Sequence, residues 1–231
     1  MSEGVDLDGE VRRVDPDRWL ATRFIGDRGA RGDVIALYAF DHELARAKAV
    51  ASTPLIAAVR LTWWREAIDE IFSGRAVRGH PTLAAVATAV RSRDLPREAF
   101  EAMIEAHLAA VEVVRFDSET AVAWATGAQG RLAGLAARML DGGSAQALAE
   151  PAGVVWGLIQ LRRAGSVERG EIDPHIRRAL NEARGCARRL SARALPAALA
   201  ATLARGELGP RAPSELAKRL RLTWAALSGR L

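Results

Sequence analysis

The sequence is short of cysteine and lysine: Cys186 stands alone, and Lys48 and Lys218 are the only lysines in 231 residues. A lone thiol excludes an internal disulfide framework and suits a reducing compartment. The four histidines, His42, His80, His107 and His175, have no Cys or His neighbour at ligand spacing, so zinc is not expected. There is no Gly-x-Ser-x-Gly elbow, Walker loop or Cys–His signature, which removes the common routes to nucleophilic hydrolysis and nucleotide chemistry. No uncharged apolar run reaches the ~20 residues of a membrane-spanning helix. The longest, residues 121–130 and 151–161, have the length of core helices. Met1–Trp19 is acidic and polar, unlike a signal or transit peptide. The expected location is cytoplasmic, with a peripheral position at an inner membrane face as its variant.

What is abundant is alanine, leucine and arginine. Hydrophobic residues make up 49% and charged residues 26%, a globular composition weighted towards helix formers. No period-2 pattern, hairpin dipeptide or repeat is found. Asp15-Pro16-Asp17 reads as a helix start with an acidic first turn. Asp33 reads as the N-cap of a helix to about Ala51, after a turn containing Gly26, Gly29 and Gly32. Pro54 opens the next helix and Gly74 closes it. Further helices are expected at 82–93, from Pro96 to about Arg115, from Ser118 to Gly142, and from Ser144 with a break at Pro151. Three more follow, from Asp173-Pro174, from Pro196 and from Ser214. The sum is an all-α bundle of about nine or ten helices. Residues 1–14 are expected to be a flexible lead, and 15–231 one helical domain with a basic C-terminal region.

The net charge is +5, but it is unevenly spread. Twelve basic and three acidic residues between His175 and Leu231 put +9 there and leave −4 on the preceding 174 residues. Such an end suits an anionic membrane surface, a phosphate or an acidic protein. It has no aromatic interleaving and no nucleic-acid motif, so nucleic acid is not an expected partner. Cys186, among Arg184, Arg188 and Arg189, reads as a small packing residue.

Residues 33–72 are the most informative. On a helical wheel Ile56, Val59, Trp63, Ala67 and Ile71 form one apolar side, widened by Leu61, Trp64, Ile68 and Phe72. Arg60 falls inside that arc. A buried arginine needs a carboxylate, and Glu43 on the preceding helix is the candidate. Such a pair either fixes helix register or leaves a cationic lining for a phosphate-bearing ligand.

Ala36-Leu37-Tyr38-Ala39-Phe40, Glu43-Leu44-Ala45-Arg46 and Arg60-Leu61-Thr62-Trp63-Trp64-Arg65-Glu66-Ala67 resemble the squalene/phytoene synthase superfamily. They are most similar to its divergent branch, which includes a mitochondrial complex I assembly factor. The resemblance runs from about Asp15 to Arg205 and is sharpest at 34–72. It implies an isoprenoid-synthase-like fold, in which helices around a central cavity present aspartates that hold Mg²⁺ against prenyl diphosphates.

At both motifs the chain departs from that pattern. The paired aspartates of the first fall on Ala45 and Ala49, with Asp41 one turn earlier on the same face. The second falls on Gln160, Arg163, Ala164, Val167 and Glu168, so its leading aspartate and one closing acid are missing. The resemblance therefore implies a catalytically degenerate member with no metal or other cofactor. Its ligand would be an isoprenoid or lipid, or a protein partner, by analogy in respiratory complex I biogenesis. The binding candidates are Asp41, Glu43, Arg46, Arg60, Trp64, Arg163 and Glu168. The alternative is a Mg²⁺-dependent prenyl transferase with a rearranged site using Asp41, Glu43, Glu66 and Asp69.

Overall fold

The computed structural model describes residues 6–209 and 213–231. Its helices are α1 (Leu7–Val14), α2 (Pro16–Thr22), α3 (Arg28–Ala49), α4 (Pro54–Phe72), α5 (Pro81–Arg93), α6 (Arg97–Ala109), α7 (Ser118–Ala125), α8 (Arg131–Asp141), α9 (Gly143–Arg163), α10 (Arg169–Ala187), α11 (Ala204–Glu207) and α12 (Glu215–Ser228). A π-helical turn, Thr126–Gly130, joins α7 to α8 without a break. Counted with α7–α8 as one rod there are eleven helices among the described residues, slightly more than the nine or ten expected. Two short 3₁₀ segments, Leu195–Ala197 and Leu199–Leu203, precede α11. The described residues contain no strand, only an isolated bridge between Phe116 and Val167.

Several boundaries follow from capping chemistry. The Asp15 carboxylate accepts from the Arg18 N–H, and Pro16 sits at the first helical position, where no N–H is needed. Thr53 and Ser214 cap α4 and α12 in the same way. Others differ from expectation. The cap of α3 is Asp27 rather than Asp33, and Gly29 and Gly32 lie inside the helix. Asp117, not Ser118, caps α7, because its carboxylate reaches the Thr120 N–H. α6 ends at Ala109, short of Arg115. α9 passes through Pro151 unbroken. The carbonyl freed by the missing N–H belongs to Ala147, which is exposed, so water is available to satisfy it. Most of the expected flexible lead falls in α1. Residues 7–14 form α1, because Asp6 caps it and Val11 is fully buried; residues 1–5 of that lead lie outside the described residues.

Two main apolar clusters fill the interior. One gathers Phe40, Leu44, Leu61, Ile68, Phe100, Ile104 and Leu135 from α3, α4, α6 and α8. The other gathers Ala125, Val155, Leu158, Ile176, Leu199 and Leu222 from α7, α9, α10, the 3₁₀ segments and α12. α9 lies against α8 on one side and α10 on the other. Gly153 permits the closest approach: a Cβ there would sit 2.0 Å from the Gln129 carbonyl oxygen. Gly142, at φ +82°, supplies the reversal between α8 and α9 that an L side chain disfavours. Both lysines tie elements together. Lys48 Nζ donates to the carbonyls of Ala110 (2.7 Å) and Val113 (2.6 Å), and Lys218 pairs with Asp17.

Candidate functional site

A cleft of about 500 Å³ opens between α2, α3, α9 and α12. Three carboxylates, Asp15, Asp17 and Asp41, and three cations, Arg18, Arg163 and Lys218, line it. Each acid is matched by a cation. Arg18 Nη2 donates to Asp41 Oδ2 at 2.8 Å, and its Nε bonds Asp15. Arg163 reaches Asp17 at 3.0 Å and Glu207 at 2.8 Å. Lys218 stands 3.3 Å from Asp17.

The Arg18–Asp41 pair lies at the inner end of the cleft, with Asp41 only 3% exposed. The π turn aims Gln129 at it. Gln129 Nε2 donates to Asp41 Oδ1 at 2.7 Å, and its carbonyl accepts from Arg18 Nη1 at 2.9 Å, closing a ring of three buried side chains. A π turn carries an extra residue per turn and often marks such re-aimed side chains. The Arg18 guanidinium also lies over the Tyr38 ring at 4.8 Å. Burial alone would raise the Asp41 carboxyl; the charge and hydrogen bonds of Arg18 overcome this and hold it down at about 2. His107 Nε2, at 3.9 Å from Asp41 Oδ1, is too far for a hydrogen bond. Burial pushes the Tyr38 hydroxyl up to about 12.

Behind this ring the helices leave little space. The void bounded by Arg18, Tyr38, Gln129, Leu132, Gly153 and Trp156 measures about 10 Å³, at or below the room one water needs.

The residues singled out in sequence separate into three places. Asp41 and Arg163 meet in the cleft, together with Ala45, Gln160 and Ala164. Glu43, Arg46, Arg60 and Trp64 line a different groove of about 390 Å³ between α3 and α4. Glu168 is in neither; it is exposed and pairs with Arg115. The expected Arg60–Glu43 pair does not form: Arg60 is exposed, and Glu43 pairs with Arg46 at 3.3 Å. The buried face of α4 is set by Ala57, Leu61, Trp64, Ile68 and Ile71, which rotates Arg60 outward. Trp64 packs edge-on against Phe40 at 5.6 Å, as a core residue. Glu66 pairs with Arg78, and Asp69 with Arg75 and Arg97, away from Asp41.

The sequence model for squalene/phytoene synthase matches residues 11–166, more than half of the chain. The chain belongs to the squalene/phytoene synthase family. Among solved structures it is similar to a dehydrosqualene synthase, with a TM-score of 0.69 and 11% identity over 96% of this chain and 94% of that one. It is also similar to the squalene synthase HpnC from Alicyclobacillus acidocaldarius, with a TM-score of 0.67 and 15% identity over 97% and 96%. These likenesses show a shared isoprenoid-synthase-like fold. No curated protein sequence matches it.

The residues present do not fit the Mg²⁺ cage that a squalene/phytoene synthase would use. Ala45 and Ala164 bring methyl groups, not oxygens, to the cleft, and Ala49, one turn further along α3, is exposed. Both Asp41 oxygens are already hydrogen-bonded. Mg²⁺ needs hard oxygen ligands in near-octahedral array. Among the described residues no group of three Asp, Glu, His or Cys is placed to hold a metal ion. Arg18, Gln129, Asp17, Lys218 and Glu207 were not found from sequence. Their cross-helix partners in the cleft lie tens to hundreds of residues away and leave no local spacing signal.

Proposed function

We propose that this squalene/phytoene synthase family member is catalytically degenerate and acts by binding rather than by joining prenyl diphosphates. One observation carries the reading: the cleft carboxylates are neutralised by the protein's own Arg18, Arg163 and Lys218. A site that recruits Mg²⁺ and diphosphate needs uncompensated carboxylates to hold the metal. The void behind Arg18 supports the same reading, because at about 10 Å³ it is too small to take a prenyl chain from the cleft. A role in assembling respiratory complex I is the form of binding we favour, and it rests on the resemblance of residues 34–72 to the assembly-factor branch.

The test is incubation of folded protein with farnesyl and geranylgeranyl diphosphate and Mg²⁺, assaying diphosphate release and extracted hydrocarbon. The expected result is no turnover. Magnesium-dependent hydrocarbon would overturn the proposal in favour of the prenyl transferase alternative. For the assembly role, deleting the gene should lower assembled complex I on native gels; normal levels would remove that part.

A further inference from the structure

The helix α12 carries two apolar faces. Leu222 and Ala225 are buried against the second apolar cluster. On the far side Leu216 (67% exposed), Leu220 (63%), Trp224 (72%) and Leu227 (80%) stand in solvent. At 100° per residue these four fall within an arc of about 80°, nearly opposite the buried face. Arg219 and Arg221 lie about 60° beyond its two edges, one on each side. Both are exposed and form no ion pair among the described residues. Lys218, on the inner side, is the α12 base that does, holding Asp17 and so fixing how the helix is rotated.

We propose that α12 docks in the plane of an anionic bilayer surface. The apolar ridge would enter the headgroup–acyl boundary, Trp224 would sit at headgroup level, and the two arginines would meet lipid phosphates. Charge complementarity selects this occupant. A helix that packs its ridge into an apolar protein groove gains nothing from unpaired cations along both borders. An anionic lipid surface contacts both arginines at once. The +9 carried by residues 175–231 adds long-range attraction of the same sign. The helix lies on the surface and does not cross: no helix among the described residues is long and apolar enough to span. The inference rests on α12 alone and is independent of what the cleft binds.

The experiment is co-flotation of the full chain with phosphatidylcholine vesicles with and without phosphatidylglycerol, together with tryptophan emission. We expect binding that requires phosphatidylglycerol, weakens with salt, and shifts emission to the blue. The variant Leu220→Glu/Trp224→Glu should abolish binding while its circular dichroism and melting stay unchanged, since both positions are exposed. Arg219→Gln/Arg221→Gln should weaken binding on the order of thirty-fold, from about fivefold per juxtamembrane cation. Absence of binding at low salt, equal binding to neutral vesicles, or full binding by the Leu220→Glu/Trp224→Glu variant would overturn the proposal. So would a concentration-dependent dimer that this variant dissolves, which would assign the ridge to a second copy of the chain.

Discussion

Truncating Asp41 separates a structural carboxylate from a metal-binding one. In Asp41→Ala the Arg18 guanidinium, buried and hydrogen-bonded to Asp41 and Gln129, keeps only Asp15 as a charged partner. Removing one member of a buried pair usually costs about 3–5 kcal/mol. Because Asp15 remains, we expect about 3 kcal/mol, a fall in Tm of roughly 6–12 °C for a chain of this size. The acid limb gives an independent check. The folded carboxyl is held at about 2, below its ordinary 3.8. A depressed pKa adds stability that is fully present above the unfolded value, here about pH 4, and is lost as pH falls through 2. That difference corresponds to about 2 kcal/mol. The gap between wild type and Asp41→Ala should thus be constant above about pH 4 and narrow by that amount towards pH 2. Urea unfolding followed at 222 nm across this range measures it. Were Asp41 kept as a metal ligand, its removal in Mg²⁺-free buffer would leave stability unchanged or raised. A variant within about 0.5 kcal/mol of wild type would therefore refute the argument. Replacing the pair together, Arg18→Met with Asp41→Leu, should recover part of the loss.

Other substitutions probe the packing and the cleft. Gly153→Ala should destabilise by about 3 kcal/mol or more, read by thermal unfolding, because the new Cβ meets the Gln129 carbonyl at 2.0 Å and the Ala133 Cβ at 2.7 Å. Gly185→Ala, in the exposed interior of α10 with nothing within 4 Å, should stabilise by about 0.5–1 kcal/mol in the same assay. Arg60→Glu should change stability by less than about 0.5 kcal/mol, since Arg60 is solvent-exposed; a larger loss would restore the buried reading. Ala45→Asp places a carboxylate back in the cleft but should show no rise in Tm with millimolar Mg²⁺, because Asp41 stays engaged with Arg18 and Gln129.

Local chemistry was legible in the sequence, and long-range pairing was not. Caps such as Asp15 and Ser214 act within three residues, so their signal is contained in the sequence around them, although the caps of α3 and α7 lie six residues and one residue before the expected Asp33 and Ser118. The face of α4 was misjudged because apolar residues surround most of it. Leu55, Ile56 and Val59 are 74%, 41% and 62% exposed, and a wheel that is apolar nearly all round does not identify its own centre. The alanines at Ala45 and Ala164 were readable as missing ligands, and the structure does bring them to one cleft. That Arg18 fills the role of counterion there depends on contacts 23 and 111 residues apart. The π turn was hidden because residues 118–141 look like one regular helix.

That turn has a consequence for how the bundle tolerates change. An ordinary helix advances about 100° per residue, so one surplus residue resets the phase of everything after it. Before the turn, Ala121 and Ala125 serve one core; after it, Leu132, Leu135 and Met139 serve the other. A single rod can supply both because its two halves are out of step. Deleting one residue between Thr126 and Gly130 would bring them into step and swing the Leu132–Leu135–Met139 stripe about a quarter turn off its partners. Insertions and deletions are thus tolerated poorly in a helix that ordinary periodicity would rank as featureless.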